Sequence, residues 1–337
     1  MRRVFSRVLA FATVAALGVS LSGCSSDTTN SASPSTAAAE SSAAFTFENC
    51  GHEITVNGIP QKVLLVNRIG VVPTLDALGV LSDVHMRAGA FAREYFSPTL
   101  EAKVEKIPNL TEKVDPTGHL QISKEEVVGT ESDLIIGYAG NVDYTAMAGT
   151  GIPIIEEPGF CGGLRGQASW DDVWKHIRFY GKLFHKEAEA EKYVAETQEK
   201  LRAAEEKKAG EGLSVAVLYP STDGSVNYAY GTTSMSHPIV TSAGMKNVFA
   251  DTEERVFEVT DEELIARNPD VIISLYSVGG QENADRAVDG VKKITGINET
   301  TAGKTGAILP MLLYFAEPPS GLSIQGLEQL NTFLENR

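Results

Sequence analysis

The sequence predicts an α/β fold of two lobes with mostly parallel sheets, joined by a long helical strut, and three observations carry that reading. Short apolar runs alternate with helical or irregular stretches over residues 62–157 ("KVLLVN", "SDLIIGY", "IPIIEE"), the rhythm of a sheet built from strand–helix units. The same rhythm resumes from Leu213 with "LSVAVLYP", "PDVIISLY" and "GAILPML". Between the two passages, Trp170, Val173, Trp174, Ile177 and Tyr180, and then Tyr193, Val194, Thr197 and Leu201, keep helical spacing until Gly210 and Gly212.

Arg2, Arg3 and Arg7, an apolar run over residues 8–21 and the closing "LSGC" resemble a bacterial lipoprotein signal spanning residues 1–23, with Cys24 as the lipid-bearing first residue of the mature chain. The apolar run is too short for a membrane span. Residues 24–45 follow as a Ser/Ala/Thr tract with almost nothing large to bury. Such a tract cannot offset its own ordering entropy, so a flexible tether is expected. The remaining body divides into an N-terminal α/β lobe (46–168), a connecting helix (169–209) and a C-terminal α/β lobe (210–337). That length suits two lobes better than one small core.

The formal net charge is −15, and no block of Lys or Arg marks a polyanion partner, so nucleic acid is excluded. With Cys24 assigned to lipid, Cys50 in "ENCGHE" and Cys161 in "PGFCGG" remain. In an oxidising compartment a disulfide between them is the economical expectation, with free thiols or a bridge to a partner as alternatives.

The connecting segment opens on Ser169, a good N-cap, with Asp172 at the third helical position, and continues as one long helix or two in line. On either side of it the chain repeats a phrase. "ISKEEVVGTESDLIIG" (122–137) overlays "VTDEELIARNPDVIIS" (259–274) without gaps, pairing Glu125 with Glu262 and Glu126 with Glu263. Ser123 and Thr260 each precede a glutamate by three residues, which predicts a capping box in both copies. Glu125 and Glu262 are left with free carboxylates near a helix start. They either complement the helix dipole or serve a surface role, because a helix start lies at the same end as the strand termini where open α/β sheets bind ligands.

The phrases "ENCGHEITVNGIPQKVLLVN", "LDALGV", "SDLIIG", "SWDDVWKHIRFYGKLF", "AGMKNVFAD" and "ARNPDVIIS", with the lipoprotein signal, resemble the type III substrate-binding lipoproteins of bacterial ABC importers, in the actinobacterial iron-complex branch. The resemblance spans about residues 47–335 and implies two Rossmann-like lobes about a cleft, no enzymatic activity and no cofactor. It further implies a monomer tethered by lipid to the outer face of the cytoplasmic membrane, with a ferric siderophore as ligand and an ABC permease with its ATPase as partner. In that family each lobe offers one glutamate to the permease, by position Glu125 and Glu262.

Loops after the strands supply the candidate ligand contacts: Arg93, Tyr95, Tyr138, Arg165, Tyr228, Tyr230, Arg255, Tyr276 and Tyr314. Guanidinium groups donate to hydroxamate or catecholate oxygens and aromatic faces shield a chelate, although surface ion pairing or core packing accounts for any one of them equally well. Haem, with Tyr138, Tyr230 or His237 as axial ligand, and cobalamin are the alternatives within the class. No bare-metal site is expected, because of six histidines only His237 falls in a cleft segment. An exported α/β enzyme or a sensor lipoprotein is the alternative outside it, but no G-x-S-x-G, H-E-x-x-H or phosphate-loop motif occurs.

Overall fold

The computed structural model describes residues 44–114, 119–221 and 226–337; the expected signal, Cys24 and nearly all of the tether lie outside the described residues. The body opens with an antiparallel hairpin, β1 (Phe45–Asn49) and β2 (His52–Val56). Its turn runs through Cys50 and Gly51 at φ 53° and 80°, a left-handed pair that folds the chain back tightly. Phe45 and Phe47 pack against Phe179, with ring centroids 6.3 and 4.9 Å away.

Four strands build the N-terminal sheet: β3 (Val63–Val66), β4 (Val84–Ala88), β5 (Leu134–Gly137) and β6 (Ile154–Ile155), wholly parallel in the order β4-β3-β5-β6. β3 and β5 are buried at every residue, which is why they read as unbroken apolar runs. The C-terminal sheet comprises β7 (Ser214–Pro220), β8 (Asn227–Tyr230), β9 (Lys246–Asn247), β10 (Val256–Val259), β11 (Val271–Tyr276) and β12 (Ile308–Leu312). Its order is β10-β8-β7-β11-β12, with β9 beside the start of β7. β7, β11 and β12 are parallel, but β8 runs antiparallel between β7 and β10, so this sheet is mixed.

The connecting segment is not one helix, nor two in line. Helices Trp170–Leu183 and Glu187–Glu205 meet at a corner, with His185 between them at φ 53°. Arg178 Nε lies 2.7 Å from Glu191 Oε1, thirteen positions on, a separation of about 20 Å along a straight helix. The corner closes on a small residue, since a Cβ at Gly181 would stand 2.5 Å from the Ala190 Cβ. Asp172 accepts from both the N–H and the hydroxyl of Ser169, so the expected start of the first helix is in place. The Ser123–Glu126 capping box is also complete. Its counterpart is half made: Thr260 Oγ1 accepts the Glu263 N–H, but the Glu263 carboxylate turns to Arg267 Nη2 at 3.0 Å.

The second connecting helix packs on helix Val72–Ala77 of the N-terminal lobe and on helix Leu322–Glu335 of the C-terminal lobe. The fully buried Asn331 donates from Nδ2 to the Ala204 carbonyl at 2.8 Å and pins that last contact. Strand alternation then sorts the apolar side chains into layers. Leu65 and Ile136 from one sheet, Val217 and Ile273 from the other, and Ile177, Val194 and Leu201 from the two helices share one core. Leu64, Val66 and Ile135 face a second core in the first lobe, and Ala216, Leu218 and Ile272 a third in the second.

Cys50 and Cys161 are bonded, with Cα atoms 5.8 Å apart, and so tie the hairpin to the loop after β6 across 111 positions. Replacing both cysteines by alanine should lower unfolding free energy by roughly 4 to 5 kcal/mol on chain-entropy grounds. Denaturant titration against the oxidised parent checks this.

Candidate functional site

The strand ends of both lobes meet along one seam. Tyr314, just after β12, donates from its hydroxyl to the carbonyl of Asn67, just after β3, and its N–H donates to Tyr95 Oη at 3.2 Å. The Glu94 carboxylate accepts the Gly280 N–H at 2.7 Å, bridging the loops after β4 and β11. That bridge needs Gly279, where a Cβ would stand 2.6 Å from Glu94 Oε2 and 2.7 Å from the Ala92 Cβ.

At the seam the chain leaves β3 through Arg68, which is only 6 % exposed. Gly137 makes room for it: at φ 128° a Cβ there would stand 1.9 Å from the Val66 oxygen and 2.8 Å from Arg68 Cγ. The Arg68 guanidinium reaches over Phe160, 4.9 Å from the ring centroid, while its Nε finds no hydrogen-bond partner. Arg255, from the opposite lobe, approaches the same ring at 5.4 Å. Both distances lie within cation–π range. Tyr314 meets Phe160 edge-on at 6.0 Å, and Tyr95 supports Tyr314 in the same manner at 5.7 Å.

Two buried acids lie close by. Glu157 has His176 Nε2 3.3 Å from its Oε2. Glu317 is 0 % exposed, and its Oε2 lies 3.9 Å from Arg255 Nη1. Burial pushes the Glu317 carboxyl up to about 7; the Arg255 charge, and the nearby Ser234 hydroxyl and Met235 amide, pull only partly the other way. The Tyr230 phenol beside it is pushed well up, by burial first and by the Glu317 charge second.

The candidates read from sequence take different places. Arg255 and Tyr314 stand at the floor of the seam. Tyr95, 1 % exposed, and Tyr230 are buried beneath it and shape it from below. Arg93, Tyr138 and Tyr228 are exposed on the loops and strands around it. Arg165 lines a cavity of about 420 Å³ with Glu156, Glu157, His176, Tyr180 and Pro319. Tyr276 lines a separate one of about 390 Å³ in the C-terminal lobe, with Tyr219 and Arg286. A further concavity of about 960 Å³ lies by Thr305–Leu309, at the start of β12 and so at the wrong end of its sheet for a ligand. Among the described residues no three His, Cys, Asp or Glu side chains gather to hold a metal ion.

Sequence reasoning missed Arg68, Phe160, Glu157 and Glu317. A usable signal existed for two of them: Arg68 is nearly the first residue beyond a buried strand, and Glu317 is an acid set among "YFAEPPSG". Glu125 and Glu262 are exposed, and neither joins an ion pair or side-chain hydrogen bond among the described residues.

The periplasmic binding protein family model matches residues 74–311. An ABC-type Fe3+-hydroxamate transport system protein from Saccharomonospora viridis is 39 % identical, with a TM-score of 0.79 over 86 % of this chain and 98 % of that one. The heme-binding protein RhuT from Roseiflexus is 19 % identical, with a TM-score of 0.64 over 82 % and 98 %. The heme-binding protein HmuT is 20 % identical, with a TM-score of 0.62 over 90 % and 93 %. These last two share the fold. No curated protein matches the chain.

The raised Glu317 carboxyl has a consequence for stability. A folded-state value above the ordinary carboxylate value means that this group favours the fold at low pH and loses that contribution as pH rises toward and through about 7. Glu317→Gln should therefore gain stability over the parent on going from pH 5 to pH 8, by roughly 2 to 3 kcal/mol. Parallel denaturant titrations at the two pH values measure it.

Proposed function

As this chain belongs to the periplasmic binding protein family, we propose that it captures a ferric siderophore in the cleft between its lobes and delivers it to the permease of an ABC importer. The observation that carries this reading is the convergence of Arg68 and Arg255, one from each lobe, on the Phe160 ring. A chelate seated there would meet guanidinium donors for its oxygens and aromatic surface for its organic shell. The hydroxamate-transport relative at 39 % identity supports the same ligand class.

Haem is the second reading, and Tyr138 favours it. Its phenol stands exposed directly after β5, where an axial ligand could reach the iron, whereas Tyr230 and His237 are buried. Residues 1–23 would direct export, Cys24 would carry the lipid and residues 24–45 would let the body range over the outer face of the membrane. Glu125 and Glu262 would meet the permease. Unpaired exposed carboxylates of this kind govern encounter and orientation more than affinity.

Two measurements test the reading. Arg255→Ala and Phe160→Ala should each weaken a ferric siderophore by about tenfold in fluorescence titration; haemin binding tightly where ferric siderophores do not would move the assignment to haem. Glu125→Ala with Glu262→Ala should abolish uptake by cells while soluble affinity stays at the parental level. An affinity that fell with uptake would place both residues in the ligand site instead.

A further inference from the structure

The floor of the cleft holds an acid that packing does not call for. Glu317 is fully buried, and although the Ser234 hydroxyl and the Met235 N–H stand near its carboxylate and favour its charged form, neither carboxylate oxygen meets full hydrogen-bond geometry among the described residues. The nearest cation is Arg255, at 3.9 Å. A buried carboxylate so poorly satisfied is costly, and a neutral side chain of the same size would fill the space without that cost. Its electrostatic effect is more specific. The two guanidiniums over Phe160 would by themselves form a cationic bowl, but Glu317 opposes Arg255 from within the floor, and Glu157 lies buried on the other side with His176. With Glu156 also within electrostatic reach of Arg68 and Glu157, carboxylates match or outnumber the two arginines, so an arriving chelate meets no net cationic floor.

We propose that Glu317 is a specificity-determining residue, a charge filter that admits ferric chelates of zero or positive net charge, such as tris-hydroxamates, and turns away trianionic tris-catecholates. This rests on the siderophore reading of the cleft and narrows it. A unit charge about 8 Å from a trianion alters its binding by roughly tenfold even at the dielectric of water, and by more in a cleft that excludes solvent. Against a neutral chelate the same charge has almost no effect. The filter therefore separates ligands by charge and not by size.

The test uses the exported body of the protein at pH 8, where Glu317 is largely ionised. Two probes are titrated calorimetrically: the monocationic ferric complex of desferrioxamine B and a trianionic ferric tris-catecholate. The parent should prefer the hydroxamate, and Glu317→Gln should shift the affinity ratio toward the catecholate by about tenfold. Glu317→Met, which removes the charge and fills the same space, should give the same shift and serves if the first variant fails to fold. A ratio unmoved in a folded variant, or a parent that prefers the trianion, overturns the filter while leaving the cleft a siderophore site. A parent that binds neither chelate overturns the siderophore reading and the filter with it.

Discussion

Everything at the seam depends on one shared apolar core. Each sheet turns one face to it, and the two connecting helices fill the space between, so Leu65, Ile136, Val217, Ile273, Ile177 and Val194 belong to a single packed layer. Burying each such side chain contributes on the order of 1.5–3 kcal/mol, and close-packed interiors shift little. The lobes cannot swing far apart without opening this layer. That is why an arginine after β3 and another before β10 can be held on one phenylalanine from opposite sides of the molecule. The corner at Gly181 strengthens the constraint, because it lets the second helix lie against both lobes at once.

Against that background the seam around Phe160 is locally unfavourable. Among the described residues, Arg68 leaves Nε without a partner, Glu317 holds a fully buried carboxylate with no hydrogen bond of full geometry, and His176 faces Glu157 away from water. Each such group opposes folding, by about 1–3 kcal/mol where a hydrogen bond is missing. The large core and the Cys50–Cys161 bond supply the stability that lets these groups persist. Local conflict in an otherwise consistent structure is a physical mark of a site, and it coincides here with the place where the strands of both sheets end.

The sheets were legible because buried parallel strands spell themselves as apolar runs, as β3, β5 and most of β11 do. β4, "VHMRA", was not, because its edge position leaves three of its five residues partly exposed and breaks the run. The antiparallel β8 was hidden for a related reason: "NYAY" reads as a loop of tyrosines until its pairing with β7 is seen. The corner between the connecting helices left only Gly181 and His185 as traces, and neither residue alone ends a helix. Around the seam, arginine and tyrosine were sought by type, which led to Arg255 and Tyr314, both of which lie there. Arg68 and Glu317 matter because of burial, and burial of a charge is a property of the assembled lobes that no local pattern encodes.

The glutamates show how far environment, and not residue type, assigns a role. Glu126 closes a capping box and is held below the ordinary carboxylate range by the Ser123 N–H and hydroxyl it accepts from. Glu94 spends its charge on a backbone N–H of the other lobe. Glu317, shut away from water, is pushed up to about 7. Glu125 and Glu262 have none of these partners and keep their charge exposed at a helix start. An exposed, unpaired carboxylate acts mainly at a distance and is screened beyond about 8 Å at physiological ionic strength, which suits guidance of a partner surface. A buried one acts at contact range and unscreened, which suits discrimination among ligands. One side-chain chemistry thus takes different environments in a single fold, divided by how much water each copy keeps.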